Sequence, residues 1–90
     1  MILPKDAKVR KAIPVYTGFV KYFPRAMAAV AKISMGGGIQ HGQSPDKIFW
    51  DRSKSGDELD ALMRHMLDEE WGQVAWRAMA NLEKQLEREE

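Results

Sequence analysis

A run of apolar residues in the second half of the chain has the spacing of one face of a helix. The residues are Leu59, Leu62, Met63, Met66 and Leu67. They occupy positions i, i+3, i+4, i+7 and i+8, which lie on one side of an α-helix but alternate between the two sides of a β-strand. The pattern predicts an amphipathic helix within residues 56–69 whose apolar stripe packs against the core.

An earlier segment, residues 24–35, has the composition of a second helix. Pro24 suits its first turn, where a missing N–H costs nothing, and three consecutive glycines at 36–38 predict its end. Its charged residues, Arg25 and Lys32, fall on one narrow side, and nearly all other positions are apolar. We therefore expect this helix to be buried almost all round, with a partner subunit covering part of it.

A third helix is predicted over residues 71–88. Its apolar stripe is formed by Trp71, Val74, Ala75, Ala78, Leu82 and Leu86. Trp76 falls outside this stripe and is interpreted as a second apolar point that suits a contact between subunits. Together the patterns predict an all-α fold, a bundle of three to four helices. Residues 1–23 then form an irregular basic arm or one short helix, and residues 36–55 form a long loop.

The length of the chain limits how much core it can build. Its 90 residues make one domain, and such a domain buries only about two-thirds of the surface exposed by its unfolded chain. We therefore expect a homo-oligomer. Cysteine is absent, which excludes disulfides and thiolate metal clusters. The longest apolar stretch, residues 26–31, is far shorter than a membrane span, and no secretory signal is readable, so the expected location is the cytoplasm.

Charge is distributed unevenly although the net charge is only +1. Residues 1–32 contain seven Lys or Arg and a single acid, whereas residues 68–90 contain seven acids and three bases. The basic end could meet phosphates, and the asymmetry also suits pairing between subunits. Binding to nucleic acid is not expected, because aromatic residues are not interleaved with the basic ones as stacking platforms.

Three carboxylates and one arginine form a second pattern on the helix of residues 56–69. Asp57, Asp60, Arg64 and Asp68 are spaced by three, four and four residues, which places them on one side, here called the acidic edge. Mg²⁺ takes oxygen ligands, and carboxylates one turn apart can offer it to a phosphate. This edge suits a metal-assisted phosphohydrolase. The alternative is a solvated side with ordinary ion pairs, because it points away from the apolar stripe.

His65 lies between the acidic edge and the apolar stripe of the same helix. A histidine there can act as a general acid or base, contact a phosphate, or be a partly buried hydrogen-bonding residue. The sequence leaves these three roles open.

The long loop combines one aromatic residue with several cationic ones. They are His41, Lys47, Trp50, Arg52 and Lys54. This composition suits a nucleotide, since a base can stack on the indole while the cations bind phosphate oxygens. The alternative is that Trp50 anchors the loop on the helices and the basic side chains remain solvated.

Several segments of the chain resemble one known family. The chain is similar to the phage-associated dATP/dGTP diphosphohydrolase N-terminal family, which is related to MazG-like all-α nucleotide pyrophosphohydrolases. The resembling segments cover most of the chain: residues 10–14, 22–24, 26–34, 40–41, 50–55, 57–65 and 74–82.

The resemblance implies an oligomeric enzyme that uses Mg²⁺ to split a purine dNTP into a monophosphate and pyrophosphate. It implies Asp57 and Asp60 as metal ligands, with Asp68 in reserve. It further implies Arg64 and His65 as phosphate or proton-transfer groups and Trp50, Arg52 and Lys54 as the nucleotide loop. A phage-encoded protein would act in the host cytoplasm.

The chain departs from the family in two places. The helix over residues 24–35 has no carboxylate, whereas MazG-like enzymes usually place glutamates on the corresponding helix, and the segment before the last helix, residues 67–72, is short. These departures favour two alternatives to the enzyme. One is a non-catalytic module that binds or sequesters a nucleotide, and the other is a structural or interaction protein.

Overall fold

The chain folds as a set of helices. The computed structural model describes residues 2–53 and 58–90, and within these ranges it contains no strand. The four α-helices are α1 (Ala7–Ala12), α2 (Pro24–Gln40), α3 (Glu58–Leu67) and α4 (Trp71–Glu89), and a single π-helical turn spans Tyr16–Val20. The predicted all-α fold is confirmed. Among the described residues, none of the helices combines the length and the apolarity that a bilayer crossing requires.

The helix α2 continues through the three glycines that were expected to end it at residue 35. It ends instead at Gln40, where Gly42 takes a left-handed backbone (φ 84°). The N–H of Gln43 donates to the carbonyl of Gly38 at 2.9 Å, and the N–H of Gly42 to that of Ile39. This is the Schellman pattern, in which the glycine follows the last helical turn. The predicted boundary is therefore wrong by five residues, because glycines at 36–38 accept helical geometry when the following loop packs on them.

The helices α3 and α4 form an antiparallel pair, and α4 also packs against α2. Glu69 connects the pair with a left-handed backbone (φ 56°), and the N–H of Glu70 donates to the carbonyl of His65 at 2.9 Å. A Schellman motif thus ends α3 as well, here without glycine. At the other end of the pair, the Lys84 ammonium donates to the Glu58 carboxylate at 2.6 Å, and both side chains are partly buried.

The side of α3 that packs inward is not the predicted one. Ala61, which is 4% exposed, marks the buried side. At about 100° per residue, Leu59 and Met63 lie nearly opposite Ala61, and they are 67% and 53% exposed. Met66 and Leu67 are exposed as well. The helix is confirmed, but the prediction that its apolar stripe faces the core is wrong for this chain alone.

The same inversion occurs in α4. Ala80 marks its buried side at 6% exposure, and the partly buried Trp76 lies on that side too. The predicted stripe lies on the opposite side, where Trp71, Leu82 and Leu86 are exposed. The contact of Trp76 between subunits stays a prediction, and within the chain its indole enters the space between α4 and α2.

Residues 2–23 are more ordered than an irregular arm and include the short helix that the sequence allowed. Asp6 caps α1, since its carboxylate accepts the N–H of Val9 at 3.1 Å. After the π-helical turn, Phe23 meets Phe19 and Tyr22 edge to face at 5.7 and 5.9 Å between ring centroids. All three rings remain exposed, so this arm adds little to the core. The helix α2 is likewise exposed at most positions rather than buried all round.

Candidate functional site

A cavity of about 690 Å³ lies between the second half of α2, the loop that follows it and the first half of α4. Gly36, Gly37 and Gly38 form part of the α2 wall, and an added Cβ at Gly36 or Gly37 would meet no atom within 4 Å. Gly38 differs, because its Cβ would come within 2.7 Å of the side chains of Gln43 and Ile48. The glycines thus leave one wall open and let the loop close on the end of the helix.

Cationic and hydrogen-bonding side chains line this cavity from all of its walls. Lys32 and Ser34 come from α2, His41 from the loop, and Arg77 from α4. One acid, Asp51, also lines it, and its carboxylate accepts the N–H and hydroxyl of Ser53 at 3.0 and 2.5 Å. The charge of the lining favours an anionic ligand.

Two indoles form the aromatic part of the lining. Trp76 on α4 and Trp50 in the loop meet edge to face, with ring centroids 5.9 Å apart and planes at 80°. The indole N–H of Trp76 donates to the Ser34 hydroxyl at 2.5 Å. The guanidinium of Arg77 lies 6.0 Å from the centre of the Trp76 ring. An aromatic surface and a cation therefore stand side by side at this wall.

Trp50 also serves as the anchor of the loop. The guanidinium of Arg52 lies 4.1 Å from the centre of the Trp50 ring, and the ammonium of Lys84 lies 5.6 Å from it. Cation–π contacts of this kind attract the charges to the ring face. The loop is thus attached to α4 through its indole, as in the alternative interpretation of this residue, while the same ring lines the cavity.

Arg52 is engaged outside the cavity by a bidentate ion pair. Its two terminal nitrogens donate to the two oxygens of Glu87 at 2.6 and 2.8 Å. These hydrogen bonds raise the pKa of Arg52 and lower the pKa of Glu87 below its usual range. In this state the guanidinium is occupied by α4. Of the predicted nucleotide-binding residues, His41 and Trp50 line the cavity, Arg52 is held by Glu87, and Lys54 lies outside the described residues.

The acidic edge is placed away from the cavity. Asp60, Arg64 and Asp68 are exposed, and none of the three lines the cavity. Asp57 lies outside the described residues. At 1.5 Å per residue, Asp60 and Asp68 are separated by roughly 12 Å along the helix axis, whereas Mg²⁺ binds its oxygens at about 2.1 Å.

The described carboxylates therefore do not fit one shared Mg²⁺ ion. Across residues 2–53 and 58–90, no three acidic or histidine side chains are grouped as a metal site would require. We accordingly derive no chemical step through Mg²⁺.

His65 is the residue of α3 that reaches the cavity. Its Nδ1 lies 3.0 Å from an Oε atom of Glu70, and the imidazole is 27% exposed. A carboxylate at Nδ1 favours the tautomer that carries its proton there, which leaves Nε2 able to accept one. The partly buried, hydrogen-bonded role is thus present, and it is compatible with proton transfer.

Sequence reasoning did not assign seven polar residues of the lining to the site: Lys32, Ser34, Gln40, Gln43, Asp51, Gln73 and Arg77. Two of them have a signal in the sequence. Lys32 is the one charge within an otherwise apolar stretch of α2, and Arg77 follows directly after a tryptophan that lies off the apolar stripe.

Comparison of the chain with protein families, with curated proteins and with solved structures found no match.

Proposed function

We propose that the cavity binds a nucleotide, and that the protein is a nucleotide pyrophosphohydrolase-like protein acting on purine dNTPs as a homo-oligomer. The proposal of nucleotide binding rests on one observation: two indoles line the same cavity as Lys32, Arg77 and His41. Its volume lies within the range of about 300–1,000 Å³ that is usual for small-molecule sites. The resemblance supports the reaction, the purine base and the use of Mg²⁺.

The lining suggests how such a ligand would be held. Lys32 and Arg77 would bind phosphate oxygens, which charged donors recognise more strongly than neutral ones do. The base would pack on the exposed parts of the indoles, since aromatic surfaces bind the flat face of a base. Gly36 and Gly37 would allow a phosphate to approach the α2 backbone closely, because no side chain stands in the way.

The hydrolytic step would use His65. In this reaction a water oxygen attacks the α-phosphorus, the bond to the bridging oxygen breaks, and pyrophosphate leaves. The attacking water would lose a proton, and we assign its acceptance to Nε2 of His65, a residue of the lining whose Nδ1 contacts Glu70. The resemblance implies Asp57, Asp60 and Asp68 as metal ligands, but Asp60 and Asp68 lie outside the cavity, so no metal is assigned to this step.

A second candidate function is a binding module that does not cleave its ligand. The observation that favours it is the position of Asp60 and Asp68, which are exposed and outside the cavity. The cationic lining alone suffices to bind a nucleotide.

The binding part is tested with the four dNTPs, each scored by thermal shift. dATP and dGTP are expected to raise the Tm. Removing one charged contact typically costs about 1.5–3 kcal/mol, so Lys32→Gln and Arg77→Gln should each weaken binding by a factor of about ten or more. Lys11→Gln and Arg88→Gln remove exposed cations outside the cavity and are the matched controls. Equal losses in all four variants would show that only general charge attraction is measured.

The reaction is tested by pyrophosphate release with Mg²⁺ or with a chelator. An enzyme should produce monophosphate and pyrophosphate with Mg²⁺, and His65→Gln should reduce turnover while dNTP binding persists. Binding that is unaffected by the chelator and yields no pyrophosphate would identify the module instead. If no nucleotide binds at all, both proposals are refuted.

A further inference from the structure

The chain exposes more surface than a protein of its size normally does. Its accessible surface is 7453 Å². A folded monomer of 10.3 kDa is expected to expose roughly 5,400 Å². The excess of roughly 2,000 Å² per chain amounts to about 4,000 Å² for a pair, which lies within the range of about 2,000–5,000 Å² buried by obligate homodimers.

Part of the exposed surface is apolar and lies on the two outward stripes of the α3–α4 pair. On α3 the exposed side carries Leu59, Met63, Met66 and Leu67, and we call it the α3 face. On α4 the exposed side carries Trp71, Leu82 and Leu86, and we call it the α4 face. Both faces have helical periodicity, and contiguous exposed apolar patches of this kind are typical of interaction surfaces.

We propose that a second copy of this chain covers the α3 face and the α4 face. This interface specifies the homo-oligomer of the proposed function. The proposal rests on the two apolar faces and does not depend on which ligand the cavity binds. The orientation of the two helices supports this proposal. Each helix turns a small residue inward, Ala61 on α3 and Ala80 on α4, and turns large apolar residues outward.

Charge explains why the partner is a second copy. Exposed carboxylates at Asp60, Asp68 and Glu69 border the α3 face, and the arm of the same chain carries exposed cations at residues 8, 10 and 11 together with exposed aromatic rings. Each copy thus provides the acidic apolar surface and also the basic aromatic surface that complements it. A net charge of +1 offers little repulsion between copies.

The test measures the mass of the full chain by sedimentation equilibrium. The wild type should be at least a dimer, with a Tm that rises with protein concentration because assembly stabilises the folded state. Two variants remove the faces separately: Leu59→Gln with Met63→Gln and Met66→Gln on α3, and Leu82→Gln with Leu86→Gln on α4. Glutamine keeps helix propensity, and each set should raise the dissociation constant at least a hundredfold or abolish the concentration dependence of the Tm.

The control is Met27→Gln with Met35→Gln on α2, since both methionines are 41% exposed and neither lies on the two faces. It should leave the mass unchanged. A monomeric wild type over the whole concentration range overturns the inference, as does dissociation by the α2 control while both face variants remain assembled. If one face variant dissociates and the other does not, the inert face is not part of the interface. Nucleotide binding is scored separately, so an assembled protein that binds no dNTP refutes the proposed ligand and leaves this inference standing.

Discussion

The indole N–H of Trp76 donates to the hydroxyl of Ser34 across 2.5 Å and so joins α4 to α2. The same indole meets Trp50, which brings the loop to the same point. Trp76 is partly buried, so its N–H has limited access to water as a substitute acceptor. The hydrogen bond and the contact between the two indoles thus join the three walls of the cavity at one point.

Replacing Ser34 by alanine should destabilise the protein by about 1–2 kcal/mol, because it leaves the Trp76 N–H without its acceptor. Urea unfolding measures the loss. In a Trp76→Phe background, which already lacks the donor, the same serine replacement should cost little. Ser44→Ala is the control, since the Ser44 hydroxyl pairs with Asp46 on the surface. Equal costs for Ser34→Ala in both backgrounds would contradict the role of this hydrogen bond.

Gly38 and Gly37 provide a matched pair of glycines on α2. Alanine normally stabilises a helix by about 0.5–1 kcal/mol relative to glycine. At Gly38, however, the added methyl group would come within 2.7 Å of Gln43 and Ile48, and the Gln43 amide oxygen accepts the N–H of Phe49 at 3.1 Å. Gly38→Ala should therefore be less stable than Gly37→Ala by about 1–3 kcal/mol, measured by urea unfolding. Two variants of equal stability would show that the loop does not pack on Gly38 as described.

Gly72 allows α4 to approach α2 closely at the start of α4. A Cβ at this position would overlap the terminal methyl group of Ile33. Gly72→Ala should therefore be less favourable than Gly37→Ala, where the added methyl group meets no atom, and Ile33→Val should remove part of this difference because valine lacks the terminal methyl group. The two changes should therefore couple favourably by about 1 kcal/mol in a double-mutant cycle. If the two changes in unfolding free energy simply add, Gly72 and Ile33 are not in contact.

Glu69 occupies a left-handed backbone conformation that glycine adopts without cost. Glu69→Gly should stabilise the connection of α3 to α4 by about 0.5–1 kcal/mol. The β-branched Glu69→Val should lower stability, and Glu69→Asn should fall between the two variants. The order of the three midpoints in urea checks the prediction. A Val variant as stable as the Gly variant would contradict the assigned conformation.

The helical character of the chain could be predicted because the 3.6-residue period is a local property of the sequence. Leu59 and Met63 show its limit: the period identifies a face that avoids water, but not whether the same chain or another molecule covers it. Ala61 and Ala80, which are small, pack inward because they let α3 and α4 approach closely. The local sequence pattern does not determine which side of each helix packs inward.

The site was predictable only in part for a related reason. Trp50 and His41 were found because an aromatic ring and cations in one loop are visible in the sequence. Lys32 and Arg77 come from different helices and meet only after packing. Arg52 was predicted to bind phosphate, but its acceptor in the structure is Glu87, 35 residues away. Distant pairings of this kind cannot be derived from spacing.

The ion pair of Arg52 and Glu87 should make the anchoring of the loop sensitive to acid. The pKa of Glu87 is lowered in the folded chain, chiefly by its hydrogen bonds to Arg52. The pair therefore contributes stability above the unfolded-state pKa of a glutamate, about 4.3, and this contribution is lost as the pH falls through the lower folded-state pKa. The raised pKa of Arg52 lies far above this window, so the arginine stays charged throughout.

The measurement is the difference in unfolding free energy between the wild type and Glu87→Gln, taken from pH 7 down to pH 3. The difference should be small, since the two side chains are 45% and 40% exposed, and added salt should reduce it further. It should shrink only below about pH 4.3. Contributions from carboxylates remote from this ion pair are common to both proteins and cancel in the difference. A difference that stays constant across this range would show that the ion pair does not hold the loop on α4 in solution.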